Sequence, residues 1–127
     1  MAQYLIDTSS VSDYLSAAFS VKGTLFMDAA IDAIPNISVI TQIELLCWKT
    51  DAATEQKIID FIGDSIILDI SPAVITQCVL LRKGKKIKTP DAIIAATALA
   101  HGYTLITGNE KDFANINGLK IVNPAKL

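Results

Sequence analysis

The sequence predicts an α/β protein, a three-layer α/β/α sandwich with a mostly parallel central sheet. Two observations support this fold class. Short β-type runs alternate with helical patterns along the whole chain, and each gap between runs is long enough to hold a helix. Strands joined by helices pair in parallel, because a parallel crossover cannot be made by a tight turn, and the helices then cover both faces of the sheet.

Five short aliphatic runs predict the strands, at residues 4–6, 37–40, 66–68, 104–107 and 119–122. Six other segments carry apolar residues three and four positions apart, which predicts helices at residues 9–19, 25–33, 41–49, 54–62, 72–83 and 90–101. Gly63, Gly84 and Gly102 stand where the last three helices are expected to end.

The composition limits the number of domains and the cellular context. With 127 residues, no repeat and no Pro/Gly/Ser-rich linker, the chain is predicted to form a single domain, 1–127. No apolar run approaches the roughly 20 residues of a membrane span, and residues 1–7 lack the pattern of a signal peptide. We therefore expect a cytoplasmic protein with no membrane association. Cys47 and Cys78, far apart in apolar stretches, are predicted to be buried, reduced thiols.

Four acidic residues stand where a parallel sheet would bring them together. Ligand sites in such sheets lie beyond the carboxyl ends of the strands. Asp7 follows the first strand, and Glu44 lies one helical turn after the second. Asp112 follows the fourth strand by a short loop, and Asp91 begins the helix that leads into that strand. We expect these four carboxylates to converge. Asp69 also follows a strand, but its position where the chain leaves that strand explains it adequately, and we do not include it in the site.

Each of these acids also has an ordinary structural explanation. Thr41-x-x-Glu44 matches a capping box, in which the two side chains satisfy backbone amides at a helix start. Asp91 follows Thr89 and Pro90, an arrangement typical of a capped first turn. The joint placement of the acids favours a site, and a cap does not exclude one, because it fixes the backbone that aims the carboxylate.

Converging carboxylates repel one another unless a cation binds between them or their pKa values rise. Oxygen ligands, with no usable His or Cys, favour Mg²⁺ or Mn²⁺ over zinc, and such a site suits phosphodiester hydrolysis by water. We predict Asp7 and Asp91 as direct ligands, Glu44 as holder of a water ligand or as base, and Asp112 as part of a second metal site. Nearby polar side chains are predicted to orient these groups: Thr8, Ser9, Thr107 and Asn109.

A basic segment precedes Asp91. Because the net charge is −2, nucleic-acid binding would need such a local patch. The segment is predicted to contact an RNA backbone, although basic residues that complement a helix end and then a solvated loop would look the same. It contains five of the 11 basic residues of the chain: Arg82, Lys83, Lys85, Lys86 and Lys88.

Other chemistries fit the sequence less well. Neither G-x-G-x-x-G nor G-x-x-x-x-G-K-[ST] is present, so a phosphate cradle for nucleotides is lacking. An aspartyl-phosphate phosphatase or a receiver domain could use Asp7 as nucleophile, but this leaves the spacing of the other three acids unexplained. The single histidine, His101, stands at a helix end, which argues against a serine or cysteine triad.

Four segments built around the acids form an ordered pattern. They are Leu5-Ile6-Asp7-Thr8-Ser9, Ile37-Ser38-Val39-Ile40-Thr41-x-x-Glu44-Leu45, Thr89-Pro90-Asp91-Ala92-Ile93-Ile94-Ala95-Ala96-Thr97-Ala98, and Leu105-Ile106-Thr107-x-Asn109-x-x-Asp112-Phe113. In this order they resemble the acidic motifs of PIN-domain nucleases, most closely the VapC-type toxins of bacterial type II toxin–antitoxin pairs. The resemblance spans nearly the whole chain, and its third and fourth motifs are the most specific.

The resemblance implies several further properties. The family's acids would map to Asp7, Glu44, Asp91 and Asp112, with Asn109 where relatives carry another acid. The fold would be a parallel-sheet α/β/α domain, the cofactor Mg²⁺ or Mn²⁺, the substrate RNA, the assembly a homodimer, and the partner a small antitoxin that blocks the acidic groove. Gly108 departs from the longer polar residue of many relatives. The alternative is a catalytically silent PIN-like module that works by binding protein, against which the intact acids argue.

Overall fold

A computed structural model describes residues 3–127; Met1 and Ala2, at the start of the predicted domain, lie outside the described residues. Strand and helix alternate, as the sequence predicts. The strands are β1 (Tyr4–Ile6), β2 (Asn36–Ser38), β3 (Ile66–Leu68), β4 (Thr104–Ile106) and β5 (Ile121–Val122). The helices are α1 (Thr8–Leu15), α2 (Val21–Asp32), α3 (Val39–Cys47), α4 (Ala52–Gly63), α5 (Pro72–Gly84), α6 (Thr89–His101) and α7 (Glu110–Phe113), followed by a 3₁₀ turn at Pro124–Lys126.

The five strands form one sheet in the order β3-β2-β1-β4-β5, and every neighbouring pair is parallel. This confirms the predicted fold class. All carboxyl ends of the strands therefore meet at one edge of the sheet. The central strand β1 pairs with β4 through Leu5 and Leu105, so the segments that leave these two strands start side by side.

Two apolar cores lie on opposite faces of the sheet. Leu5 belongs to one core and its neighbour Ile6 to the other, because successive side chains of a strand point to opposite faces. The α6 residues Ile94 and Ala95 fill the first core. Met27 of α2 packs in the second, where α1, α3 and α4 also contribute. Helices thus cover both faces, which gives the three layers.

Several element bounds differ from the sequence prediction for identifiable reasons. Helix α2 begins at Val21, four residues early, because the Ser20 hydroxyl caps it by accepting from the Gly23 amide at 3.3 Å. Strand β2 ends at Ser38, whose hydroxyl accepts from the Ile40 amide and starts α3. The second half of the predicted strand 37–40, Val39 and Ile40, is therefore helical. Helix α1 stops at Leu15 rather than at residue 19, and α7 was not predicted as a helix.

The cysteine prediction is wrong as regards burial. Both thiols are free, but Cys47 is exposed at the end of α3 and Cys78 is only half-buried in α5. An apolar stretch does not by itself bury a cysteine. Helix α3, for example, also exposes the apolar side chains of Ile43 and Leu46. Separately, no helix within residues 3–127 is both long and apolar enough to cross a membrane.

Candidate active site

Asp7 lies at the carboxyl end of β1, in the centre of the sheet edge. Its backbone amide donates to the Ile106 carbonyl at 3.0 Å, which ties it to β4, and its Oδ1 caps α1 by accepting from the Ser10 amide at 2.9 Å. Burial raises the pKa of this carboxyl, although hydrogen bonds from Thr107, Ser10 and Ser9 act in the opposite direction. Only 4% of Asp7 is exposed.

Glu44 reaches the same edge from α3. Its Oε1 accepts a hydrogen bond of 2.6 Å from the Thr8 hydroxyl, and the Thr8 oxygen also lies 3.1 Å from Thr41 Oγ1. The predicted capping box of Thr41 and Glu44 is wrong, because Ser38 caps α3 and Thr41 is buried inside it. The carboxylate of Glu44 is therefore held by the residue next to Asp7 rather than by its own helix start.

Asp91 lies in the first turn of α6, one residue further into the helix than predicted, because Lys88 is the N-cap. Its pKa is raised first by burial, then by the negative charges of Asp112, Glu44 and Asp7, in that order. The charge of Lys88 lowers this pKa in part. Negative charge from the other three acids thus adds to the effect of burial at Asp91.

Asn109 and Asp112 form a polar unit between β4 and α7. Asn109 caps α7, with its Oδ1 accepting from the Asp112 amide at 3.3 Å, while its Nδ2 donates to Asp112 Oδ2 at 2.8 Å. The buried Thr107 hydroxyl accepts from the Asn109 amide at 2.9 Å. The amide group of Asn109 thus orients the carboxylate of Asp112.

A cavity of about 360 Å³ brings most of these residues together; we call it the acid-lined cavity. Asp112 and Thr107 are not among the residues that line it. Within residues 3–127, no three acidic, histidine or cysteine side chains approach closely enough to form a preassembled metal-binding group. The carboxylates surround the cavity rather than meet at a common point. The cavity is lined by Asp7, Thr8, Ser9, Ser12, Glu44, Asp91, Ile94, Asn109 and Phe113.

The electrostatics of the acid-lined cavity fit a divalent cation. In the described part of the chain, the one salt bridge joins Lys126 to Glu110, so no lysine or arginine pairs directly with the four acids. The pKa values of Asp7 and Asp91 are raised, in both cases first by burial, which disfavours the charged form of each carboxyl. An all-oxygen donor set of this charge suits a hard cation such as Mg²⁺ or Mn²⁺.

The basic segment spans the last turn of α5, which contains Arg82 and Lys83, and the loop before α6. Its members differ in role. Lys88 is near enough to Asp91 to lower its pKa. The Nε of Arg82 donates to the Ile87 carbonyl at 3.2 Å, so part of this side chain closes the loop rather than facing a ligand. Lys83 and Lys86 are exposed. Lys88 thus brings positive charge next to an acid of the cavity, whereas none of the five basic residues lines the cavity itself.

Sequence reasoning missed three residues that line the cavity: Ser12, Ile94 and Phe113. The available signal was helical spacing, because Ser12 and Ile94 each stand three residues after a predicted site residue, Ser9 and Asp91. Two larger cavities, of about 420 and 600 Å³, lie at the opposite edge of the sheet. No acidic residue lines either of them, so cavity size does not identify the candidate active site of this protein.

Comparison with known proteins supports these observations. The family model of the PIN domain matches residues 4–119. Among curated proteins, Ribonuclease VapC1 from Rickettsia felis is 56% identical over 36 residues, which is 28% of this chain and 27% of that protein. The chain thus matches only about a quarter of the length of that curated relative.

Solved structures match over nearly the full length. A toxin–antitoxin complex from Klebsiella pneumoniae contains a chain that is 35% identical, with 95% of this chain and 97% of that chain covered and a TM-score of 0.75. VapBC2 from Rickettsia felis, bound to a DNA fragment from its promoter, shows the same fold at 24% identity and a TM-score of 0.75, covering 94% of this chain and 97% of that chain.

Proposed function

The chain belongs to the PIN domain family, and we propose that it is a metal-dependent endoribonuclease that hydrolyses RNA phosphodiester bonds at the acid-lined cavity. Ribonuclease is the activity given for the curated relative VapC1. The observation that carries the proposal is the acid-lined cavity, which Asp7, Glu44 and Asp91 line together; burial, and then the neighbouring carboxylates, raise the pKa of Asp91 there. Perturbed carboxylates in a cleft are typical of functional sites.

The proposed cofactor is Mg²⁺ or Mn²⁺, with Asp7 and Asp91 as its direct ligands. When bound, such an ion offsets the charge of the phosphodiester and favours ionisation of the attacking water. Glu44, exposed at the cavity rim and held by Thr8, can accept a proton from that water or hold a water ligand. Asp112 adds negative charge for a second cation, and Asn109 orients it.

Substrate binding is assigned to the lysines of the basic segment. A phosphate backbone carries one charge per nucleotide, so contacts by Lys83, Lys85, Lys86 and Lys88 would be blind to sequence and weakened by salt. Arg82 is the weakest member of this group, because its Nε already donates to the Ile87 carbonyl. Lys88 would place a phosphate beside Asp91, with which it already interacts.

The direct test is RNA cleavage by the purified chain, in Mn²⁺ and in chelator, beside Asp7→Asn and Asp91→Asn. We expect cleavage in Mn²⁺ alone and a loss of at least about 100-fold in kcat/KM for each variant, because each removes a charged ligand of the ion. Asp69→Asn is the matched control, since Asp69 also follows a strand at this edge but does not line the cavity. Parental cleavage rates in both site variants would overturn the metal-nuclease proposal.

We further propose that the chain is the toxin of a toxin–antitoxin pair, that it forms a homodimer, and that a small antitoxin protein blocks its acidic groove. Support comes from the Klebsiella pneumoniae complex, whose matching chain is 35% identical over almost the whole length. Many apolar side chains are available to such partners on the outer faces of the helices. Examples are Leu25 of α2, Ile43 and Leu46 of α3, and Ile75, Val79 and Leu80 of α5.

Expression of the chain in a bacterial host tests the toxin proposal. We expect growth arrest that disappears with Asp91→Asn and is suppressed by co-expression of a small protein encoded beside this gene. Asp69→Asn should remain toxic. Unimpaired growth with the parental chain at confirmed expression would contradict the toxin proposal, while cleavage in vitro would still support the nuclease.

A further inference from the structure

A second polar cluster lies next to the acid-lined cavity, around the 3₁₀ turn Pro124–Lys126. This turn directly follows β5, the strand that pairs with β4. The Thr107 amide donates to the Val122 carbonyl at 3.0 Å, which aligns the exits of the two strands. The turn therefore runs beside the loop that leads from Thr107 to Asn109 and α7.

One carboxylate oxygen joins this turn to α7. Glu110, the first residue of α7, accepts with Oε2 from Lys126 Nζ at 2.5 Å and from Asn123 Nδ2 at 3.1 Å. Asn123 also accepts from the Ala125 amide with its Oδ1 at 3.1 Å, so its side chain bridges the turn and the helix. We call Asn123 and Lys126 the clamp.

The other side of the turn is anchored to α2. A Cβ atom at Gly23 would lie 2.6 Å from the Pro124 carbonyl oxygen, an approach that only glycine permits. The Ser20 hydroxyl donates to the Leu127 carbonyl at 3.3 Å. Because α2 packs into one of the two apolar cores through Met27, the clamp is fixed to the body of the protein.

Helix α7 needs such an anchor. It has four residues, a single turn, and helices this short are not stable by themselves. Apart from buried Phe113, its start is fixed by the Asn109 cap and by the side chain of Glu110. Asp112 lies between Glu110 and buried Phe113, and of the neighbouring carboxylates it raises the pKa of Asp91 the most.

We propose that the clamp residues Asn123 and Lys126 are positioning residues of the nuclease: they hold Glu110 and thereby fix Asn109 and Asp112 against the acid-lined cavity. This inference rests on the proposed function. Lys126 also offsets the charge of Glu110, two residues from Asp112. The pair is largely solvent-exposed, with 69% of the Lys126 side chain accessible, so its contribution to global stability is small and its effect is local.

The test compares Lys126→Ala, Glu110→Ala and their double variant with the parental chain. Amide hydrogen exchange at residues 112–114 should accelerate by about two- to fivefold in all three, because the anchor of α7 is weakened or lost and an exposed ion pair supplies no larger effect. At saturating Mn²⁺ and RNA, kcat should fall by about five- to tenfold with KM within about twofold, since misplaced groups slow chemistry more than binding. The double variant should match Glu110→Ala, which already loses the contacts to both Asn123 and Lys126, and Lys126→Arg should keep both readouts at the parental values.

Lys120→Ala is the matched control, because it removes an exposed lysine near β5 that does not contact Glu110. Unchanged amide hydrogen exchange at residues 112–114 in the variants would show that the clamp does not hold α7. Faster exchange with unchanged kcat would overturn the positioning role. If the parental chain cleaved no RNA, the proposed function would fail, whereas the exchange comparison would still decide whether the clamp holds α7.

Discussion

Asp7 and Asp51 have the same local role in two regions of the molecule, yet opposite electrostatic properties. Each is a helix N-cap whose Oδ1 accepts from the amide three residues later, at 2.9 Å in Asp7 and 2.7 Å in Asp51. The pKa of Asp51 is lowered by its hydrogen bonds to Thr54 at the protein surface. The pKa of Asp7 is raised, because burial at the sheet edge outweighs its hydrogen bonds.

The same contrast separates the acid-lined cavity from other carboxylates. Asp28 accepts from the Tyr14 hydroxyl and raises the pKa of that tyrosine to about 12, and Lys126 with Asn123 lowers the pKa of Glu110. Those acids have partners that stabilise their charge. The pKa values of Asp7 and Asp91 are instead raised, first by burial, and burial of the carboxyl, rather than acidity itself, distinguishes the candidate site.

The comparison predicts that the cavity acids destabilise the metal-free protein. In chelator at pH 7, Asp7→Asn should raise the free energy of unfolding by about 0.5–2 kcal/mol, because Asn keeps the cap acceptor and removes a buried charge. Since the native pKa is raised, the native state binds more protons than the unfolded state, and parental stability falls as pH rises through that pKa. Urea denaturation across pH should show the gain growing from about pH 4 upward. A loss of stability in Asp7→Asn at every pH would contradict the conclusion that the buried charge of Asp7 destabilises the metal-free protein.

Asp51→Asn should produce a smaller change of opposite sign. The variant keeps the cap but loses the interaction of a negative charge with the start of α4, so its melting temperature should fall slightly at pH 7. Because the native pKa is lowered, the stability due to this charge is present above the unfolded pKa and is lost as pH falls through the native one. The two variants should thus converge on the parental chain at acid pH. A rise in melting temperature for Asp51→Asn at pH 7 would show that burial does not explain the contrast.

Sequence patterns were sufficient for the order of elements but not for their ends. Residues 37–40 form an apolar run typical of a strand, yet Val39 and Ile40 are helical. The sequence interpretation placed a cap at Thr41, whereas the structure places it at Ser38. Ser38 is the cap because β2 ends where it pairs with Leu68 of β3, and strand pairing between distant segments is not encoded in a local window.

In the candidate site, too, the sequence predicted some features correctly and others not. Its acids were identified from their positions after strands, because parallel pairing places those positions at one edge whatever the details of packing. The partner of Glu44 was predicted wrongly: Thr8, 36 residues away, holds its carboxylate instead of Thr41. The clamp was not predicted at all, since Glu110 and Lys126 carry no local pattern that relates them.

The sequence by itself determined the parallel α/β architecture and the placement of four acids near one sheet edge, because these follow from residue type and short-range spacing. Only the tertiary structure decided that Asp7 is buried while Asp51 is not, that Asp112 acts most strongly on Asp91, and that Lys126 pairs with Glu110. Burial and Coulomb interactions depend on distances between segments far apart in the chain, and packing sets those distances.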